Sequence, residues 1–298
     1  MAEKFILHML TPLKHMSPFD VNMALDAGYD AVALYADVKL YEVLPLVQDA
    51  IFSRPPRIGV KTGLFIAGKD AILALDMLKA ARQGLAPPFE LSIFADPAGS
   101  FTTAAAMVAC VEKHLKERKQ RGLHGLKIAI FGATGVVGFS SAVIAALEGA
   151  EVTLVGHDGV ERVGKSAAEI KSRFDVDVAV ADGGDEHKKT AILGVAEAAF
   201  CAGKAGVRIL SSEQIAAARR LLIVADVNAV PPAGVEGLDV MASGAELTPG
   251  GVLGVGPLAI GNIKYRTESG LFKRMIAATK PVCLDFQDAF VLARELNG

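Results

Sequence analysis

The chain has 298 residues, of which 52% are hydrophobic and 21% charged, with a formal net charge of −2. That length suits two domains of ordinary size or one large α/β unit, and the hydrophobic share supports large cores and argues against disorder. With no block of like charges, nothing attracts nucleic acid or an anionic membrane in bulk.

Short apolar runs alternate with amphipathic helical stretches from end to end, the pattern of parallel sheets flanked by helices. In the first third, strands are predicted at KFILHML (4–10), AVALYA (31–36), GLFIAG (63–68) and LSIFAD (91–96). Helices are predicted to start near Ser17-Pro18, Lys39, Lys69 and Gly99, and Ser17 before Pro18 suits an N-cap with proline at the first helical position. The charged stretch EKHLKERKQRG (112–122) reads as a solvated helix face and exit segment, leading to a domain boundary near residue 122. Beyond it, strands are predicted at LKIAIFG, EVTLVG, VDVAVAD, AAFCAG, LLIVADV and LDVMA (238–242), with helices near 136–148, 160–173, 186–195 and 211–219. A glycine-rich stretch (243–264) should cross back toward the site, before a helix from about 267 to 278, an extended segment and a terminal helix.

Targeting and redox signals are sparse. The opening MAEKFILHMLTPLKHM lacks the apolar run of a secretory signal. No apolar stretch approaches the ~18 residues that span a bilayer. Cys110, Cys201 and Cys283 lie far apart with no C-x-x-C pair, so disulfides are not expected and a cytoplasmic address is the default. The histidines fall in no metal-ligand spacing, and no metal is expected.

The strongest chemical signal is FGATGVVG (131–138), lying between a strand and a helix. Gly132, Gly135 and Gly138 form G-x-x-G-x-x-G, enclosing Ala133, Thr134, Val136 and Val137. In such a turn the first glycine permits the bend, the second lets backbone approach a pyrophosphate, and the third lets helix and strand pack closely. Free N–H groups at the helix start then meet the phosphate charge. About twenty residues on, His157 and Asp158 end the next strand, where a carboxylate would accept from a ribose 2′-hydroxyl and favour NAD. Arg162 and Lys165 lie one turn further and could offset its repulsion of a 2′-phosphate, so NAD and NADP both stay open. Ala202 and Gly203 end the fourth strand of this half, where a nicotinamide ribose would pass. Asp226 and Asn228 precede Pro231-Pro232; Asn228 could hold the nicotinamide amide or simply form a turn.

Five segments together carry a family resemblance: LTPLKHMSPFDVNMALDAG, DPAGSFTTAAAMV, FGATGVVG, DVNAVPPAG and GPLAIGNIKY. In this order and over essentially the whole chain, they resemble the NAD(P)-dependent methylenetetrahydromethanopterin dehydrogenases of methylotrophic bacteria. SFTTAAA and DVNAVPPAG are more specific than the glycine turn. The opening is closer to the form that uses either nucleotide than to the NADP-only form, which has an arginine where this chain has His157-Asp158.

The resemblance implies two α/β domains with a cleft between them, the second of Rossmann type. It places a pterin-binding and oligomerisation domain at 1–121 plus 272–298, and the NAD(P)-binding domain at 122–271. It further implies oxidation of the methylene pterin to the methenyl form during formaldehyde oxidation, in a homo-oligomer for which a trimer is one known form. Among cleft residues it points to Thr102 and Thr103, which could position pterin or nicotinamide or merely cap their helix. It points also to Asp20, in a first helical turn where the dipole favours a carboxylate, and to His15. Lys264 is the most suggestive single cation, a hydrogen-bond donor to a pterin carbonyl or a solvated lysine.

The chemistry asks for no general base, and no Ser/His/Asp or Cys/His constellation is visible. Tyr35 and Lys39 have a Y-x-x-x-K spacing, but Val38 to Leu40 read as an ordinary helix entry, so no cyclohydrolase activity is expected. The rival readings are a methylenetetrahydrofolate dehydrogenase, using the same step on another carrier, and a non-catalytic nucleotide-binding regulator.

Overall fold

The computed structural model describes residues 3–249 and 251–298. They divide into two compact units, one holding the chain up to Thr102 with Tyr265–Leu292, the other Thr103–Lys264 with Ala293–Gly298. Both limits at 102 and 264 fall inside long helices.

The first unit alternates β1 (Ile6–Leu10), α1 (Pro18–Ala27), β2 (Ala31–Tyr35), α2 (Leu40–Phe52), β3 (Thr62–Ile66), α3 (Ala71–Gly84) and β4 (Ser92–Ala95), with α4 (Ser100–Lys119) starting in it. The strands pair in parallel in the order β4-β3-β1-β2. β3 is buried along its whole length, which is why TGLFI reads as a continuous apolar run and not an alternating one. Phe65, Phe94 and Phe272 pack ring to ring at 5.2–5.4 Å between centroids, and all three are fully buried. Local signals set the helix ends. Pro18 opens α1, and Gly28, at φ +117°, closes it while its N–H donates to Leu25 O. The Asp70 carboxylate caps α3 by accepting from Leu73 N at 2.8 Å.

The second unit runs β5 (Lys127–Phe131), α5 (Val136–Leu147), β6 (Glu151–Gly156), α6 (Glu161–Phe174), β7 (Ala179–Asp182), α7 (Glu186–Leu193), β8 (Ala198–Cys201), α8 (Ser212–Ala217) and β9 (Ile223–Asp226). β10 (Ser243–Glu246) and β11 (Leu253–Val255) complete a sheet of order β10-β11-β9-β8-β5-β6-β7, parallel except for β10. Ile130, Leu154, Phe200 and Val224 form its fully buried centre. α9 (Pro257–Ala277) follows, β12 (Cys283–Leu284) adds to the first unit's sheet beside β4, and α10 (Phe286–Asn297) ends the chain. Arg294 returns to the second unit. It holds the buried Glu112 with two hydrogen bonds, at 2.6 and 3.0 Å, and Glu148 with a third.

Two expectations are corrected. LDVMA is not a strand. Gly237, at φ +78°, closes one turn, the Asp239 carboxylate accepts from Met241 N in the next, and β10 begins only at Ser243. The helix expected from 267 starts ten residues earlier, at Pro257, so Lys264 sits mid-helix and not on a crossing loop. Ile260, Ile263, Thr267, Leu271 and Met275 supply a buried face at helical spacing, and that burial outweighs the helix-weakening Gly261.

Candidate functional site

In the second unit the strand order reverses between β5 and β8, because β5 leads outward through β6 and β7 while β8 begins the return on its other side. Ligands of open parallel sheets bind at the carboxyl ends of strands at such a point. The glycine turn occupies it. Gly132 has φ +79°, and a β-carbon on it would collide with the Ala202 carbonyl and Gly203 N. A β-carbon on Gly138 would meet the Gly132 carbonyl, so the first and third glycines are required by packing alone. Gly135 differs: its φ is −78° and its nearest neighbour would stand at 3.4 Å, in reach of any residue. No packing neighbour requires its smallness. Gly135 is also the N-cap of α5 and gives no side-chain cap, which leaves the first N–H groups of a twelve-residue helix for a ligand.

A cavity of about 460 Å³ opens onto this turn. Gly132, Thr134, Gly135, His157, Ala202 and Gly203 line it, together with Phe131, Val155 and Gly156 at the strand ends. The cradle and the donor set fit a dinucleotide pyrophosphate. A larger open groove of about 600 Å³ lies at the opposite ends of β5 to β7, among Lys127, Glu151 and Asp177, and offers no helix N-terminus to an anion.

The other expected cofactor residues divide. Ala133 and Gly138 are buried in the turn, while Val136 and Val137 are half-buried at the start of α5. Asp158 and Arg162 are exposed and outside the cavity lining. They pair with each other at 3.2 Å, and Arg162's hydrogen bond holds the Asp158 carboxyl below its usual range. Asn228 is taken up by its own loop: its Nδ2 donates to Pro232 O and its Oδ1 accepts from Val230 N. These two hydrogen bonds give Asn228 the turn-forming role. Asp226 organises the same loop, fully buried and accepting from Asn228 N at 2.9 Å and Val235 N at 3.1 Å. Burial pushes its carboxyl up, against the pull of those backbone donors.

Three cations on the cavity were not legible as site residues: Lys189, Lys204 and Arg208. Lys189 reaches across from α7 to Ile209 O and pairs with Glu186, while Arg208 pairs with Glu236. No motif flags them. The available signal was the position of Lys204, directly after Gly203 at a strand end.

In the first unit the order reverses between β1 and β3. The loops there meet, since a β-carbon on Gly68 would touch Pro12 at 3.4 Å and approach Pro97. His15 is exposed on the β1 loop, and Asp20 is buried in the first turn of α1 that follows. In DPAGSFTT the organising residue is Asp96. It accepts from Phe101 N and from Thr102 N and Oγ1, the last at 2.6 Å, with both side chains fully buried. Thr102 is thus a cap partner inside the fold, whereas Thr103 next to it is only half-buried. Ala98 in this loop holds a left-handed conformation at φ 55°, a strain of the sort found beside binding sites. Tyr35 hydrogen-bonds His8 Nδ1 at 3.1 Å, and Lys39 is the N-cap of α2, which is an ordinary helix entry.

A parallel sheet with its switch point at a glycine turn, an uncapped helix start and an adjoining cavity defines a Rossmann-type dinucleotide-binding unit. Residues 18–98 match the family model described as methylene-tetrahydromethanopterin dehydrogenase, N-terminal. The chain is 54% identical over 293 residues to the NAD(P)-dependent methylenetetrahydromethanopterin dehydrogenase of Methylorubrum extorquens, covering 98% of this chain and 99% of that one. It is 31% identical over 280 residues to a second protein of that organism, Bifunctional protein MdtA, covering 94% of each. Among solved structures, the NAD-dependent malic enzyme of Thermotoga maritima superposes with a TM-score of 0.59 at 11% identity, over 97% of this chain and 84% of that one, a likeness of fold. The chain belongs to the methylenetetrahydromethanopterin dehydrogenase family. Among the described residues, no helix is long and apolar enough to cross a membrane.

Proposed function

We propose that this protein oxidises methylenetetrahydromethanopterin to its methenyl form with NAD+ or NADP+. The carrying observation is the 54% identity, end to end, to a protein bearing that name. The glycine turn and its cavity agree with it.

The reacting carbon of the substrate lies between two nitrogens. Removal of hydride leaves an amidinium cation whose charge both nitrogens share, and no proton leaves that carbon. The bound nicotinamide supplies the hydride acceptor. The protein's contribution is placement and exclusion of water, worth on the order of 7–11 kcal/mol at its best. In this reading Gly132, Gly135 and the start of α5 hold the pyrophosphate, with His157 at the adenosine end.

The first unit takes the pterin through the loops at its switch point, with Asp20 accepting from pterin N–H groups and His15 beside it. Lys264 donates to a pterin carbonyl; against the nascent cation it would raise the barrier. Thr103 is the hydroxyl of its pair that acts at the site, while Thr102 positions the loop through Asp96. We place the protein in the cytoplasm as a homo-oligomer. Initial rates on the methanopterin and folate carriers, each with NAD+ and NADP+, test the assignment. Turnover should favour the methanopterin carrier, and a preference for the folate carrier would replace it.

A further inference from the structure

Lys204 stands out among the cations of the cavity. Lys189 and Arg208 are each neutralised by a carboxylate, Glu186 and Glu236 respectively. Lys204 is exposed and, among the described residues, stands in no ion pair. The cavity lining contains no Asp or Glu. Lys204 therefore contributes the one unneutralised full positive charge of that lining, in a chain whose net charge is −2.

Its place along the chain fixes what that charge can reach. Lys204 follows directly on Ala202-Gly203, the backbone packed so tightly against Gly132 that a β-carbon there has no room. The glycine turn and the segment bearing Lys204 adjoin at Gly132 and line the same cavity. An anion on the N–H groups at the start of α5 would share that cavity with the flexible Lys204 side chain. Lysine acts on phosphate as a mobile point charge, without needing the planar fit that arginine does.

We infer that Lys204 is the pyrophosphate-binding cation of this site, closing on a dinucleotide held at the glycine turn whose cavity it lines. The inference rests on the dinucleotide reading of the cavity and adds the residue that supplies its charge. A pyrophosphate is common to both nucleotides. Lys204 thus raises affinity for NAD+ and NADP+ alike and contributes nothing to the choice between them.

The test is equilibrium binding of NAD+, NADP+ and ADP-ribose to the full-length protein, measured calorimetrically for the wild type, Lys204→Ala and Lys204→Arg. Loss of a charge-assisted hydrogen bond predicts about ten- to a hundred-fold weaker binding of all three ligands to Lys204→Ala. Lys204→Arg should recover most of it. The affinity of the wild type should also fall more steeply with added salt than that of Lys204→Ala. The substituted residue is exposed, so the melting temperature should not move, which confirms that the variant is folded. Equal affinities for wild type and Lys204→Ala would overturn the inference, as would a loss confined to NADP+, which would assign Lys204 to the 2′-phosphate. If the wild type itself binds none of the three, the dinucleotide reading fails instead, a result separable from either outcome for the variant.

Discussion

Alanine at each glycine of the 132–138 turn separates packing from ligand approach. At Gly132 an alanine must hold φ +79°, which costs roughly 1–2 kcal/mol for a residue with a β-carbon. It must also displace the end of β8, because the clash is with backbone and not with a side chain that could rotate away. Overpacking of that kind adds about 1–3 kcal/mol. The sum, about 2–5 kcal/mol, corresponds to a loss of roughly 5–15 °C in melting temperature for a unit of this size. Gly138→Ala carries the steric part alone, against the Gly132 carbonyl. Gly135→Ala carries neither. Its φ is ordinary, its nearest contact is 3.4 Å, and the poorer cap is offset by a less flexible unfolded chain. Calorimetric melting should therefore rank Gly132→Ala below Gly138→Ala, with Gly135→Ala near wild type. Titration with NAD+ should nonetheless show Gly135→Ala weakened ten-fold or more, because its methyl stands where a phosphate must approach. Gly135→Ala that binds like wild type, or Gly132→Ala that melts like wild type, would refute this division of roles.

Three further outcomes follow from the same geometry. Thr102→Val keeps the side chain's shape but removes the donor to the buried Asp96, and should cost about 1–3 kcal/mol of stability that Thr102→Ser retains; unchanged melting with lost turnover would return Thr102 to a direct catalytic role. Lys264→Ala should lower turnover at least ten-fold and leave the Kd for NAD+ unchanged, and near-normal turnover would remove Lys264 from the site. Burial, aided by the Arg54 charge, holds the His8 imidazole below its ordinary value, and burial does the same for His114. Their folded pKa values lie below the unfolded one, so their contribution is complete above about pH 6.5 and is lost as pH falls from there through the folded values. A denaturant series from pH 8 to 5 should show stability dropping in that window, less so in a His8→Phe variant; the same slope in the variant would remove His8 as a cause.

What the sequence made legible is what local chemistry decides. β5, the turn and α5 could be read because three glycines and an apolar run fix a strand, a bend and a helix between Lys127 and Leu147. Ser17-Pro18 and Gly28 mark α1 in the same way. The start of α9 was hidden, since Gly256 and Gly261 give the segment a loop's composition while burial of Ile260, Ile263 and Thr267 makes it helical. The role of Thr102 was hidden for a related reason. Its partner Asp96 lies six residues away across a bend, a distance no periodicity reports. For Asn228 the sequence left a nicotinamide contact and a turn both open, and only the hydrogen bonds show its amide engaged within its own loop. Lys204 had only its place directly after Gly203 to mark it, and its share in the cavity shows once β8 is set beside β5.

The central claim is that hydride passes directly from the methylene carbon to the nicotinamide, with no proton abstracted by the protein. Substrate deuterated at that carbon, given to the enzyme with NAD+ in ordinary water, tests it most directly. The account predicts one deuterium per turnover in the reduced nucleotide and none in solvent. Appearance of the label in water, or no reduced nucleotide at all, would contradict it.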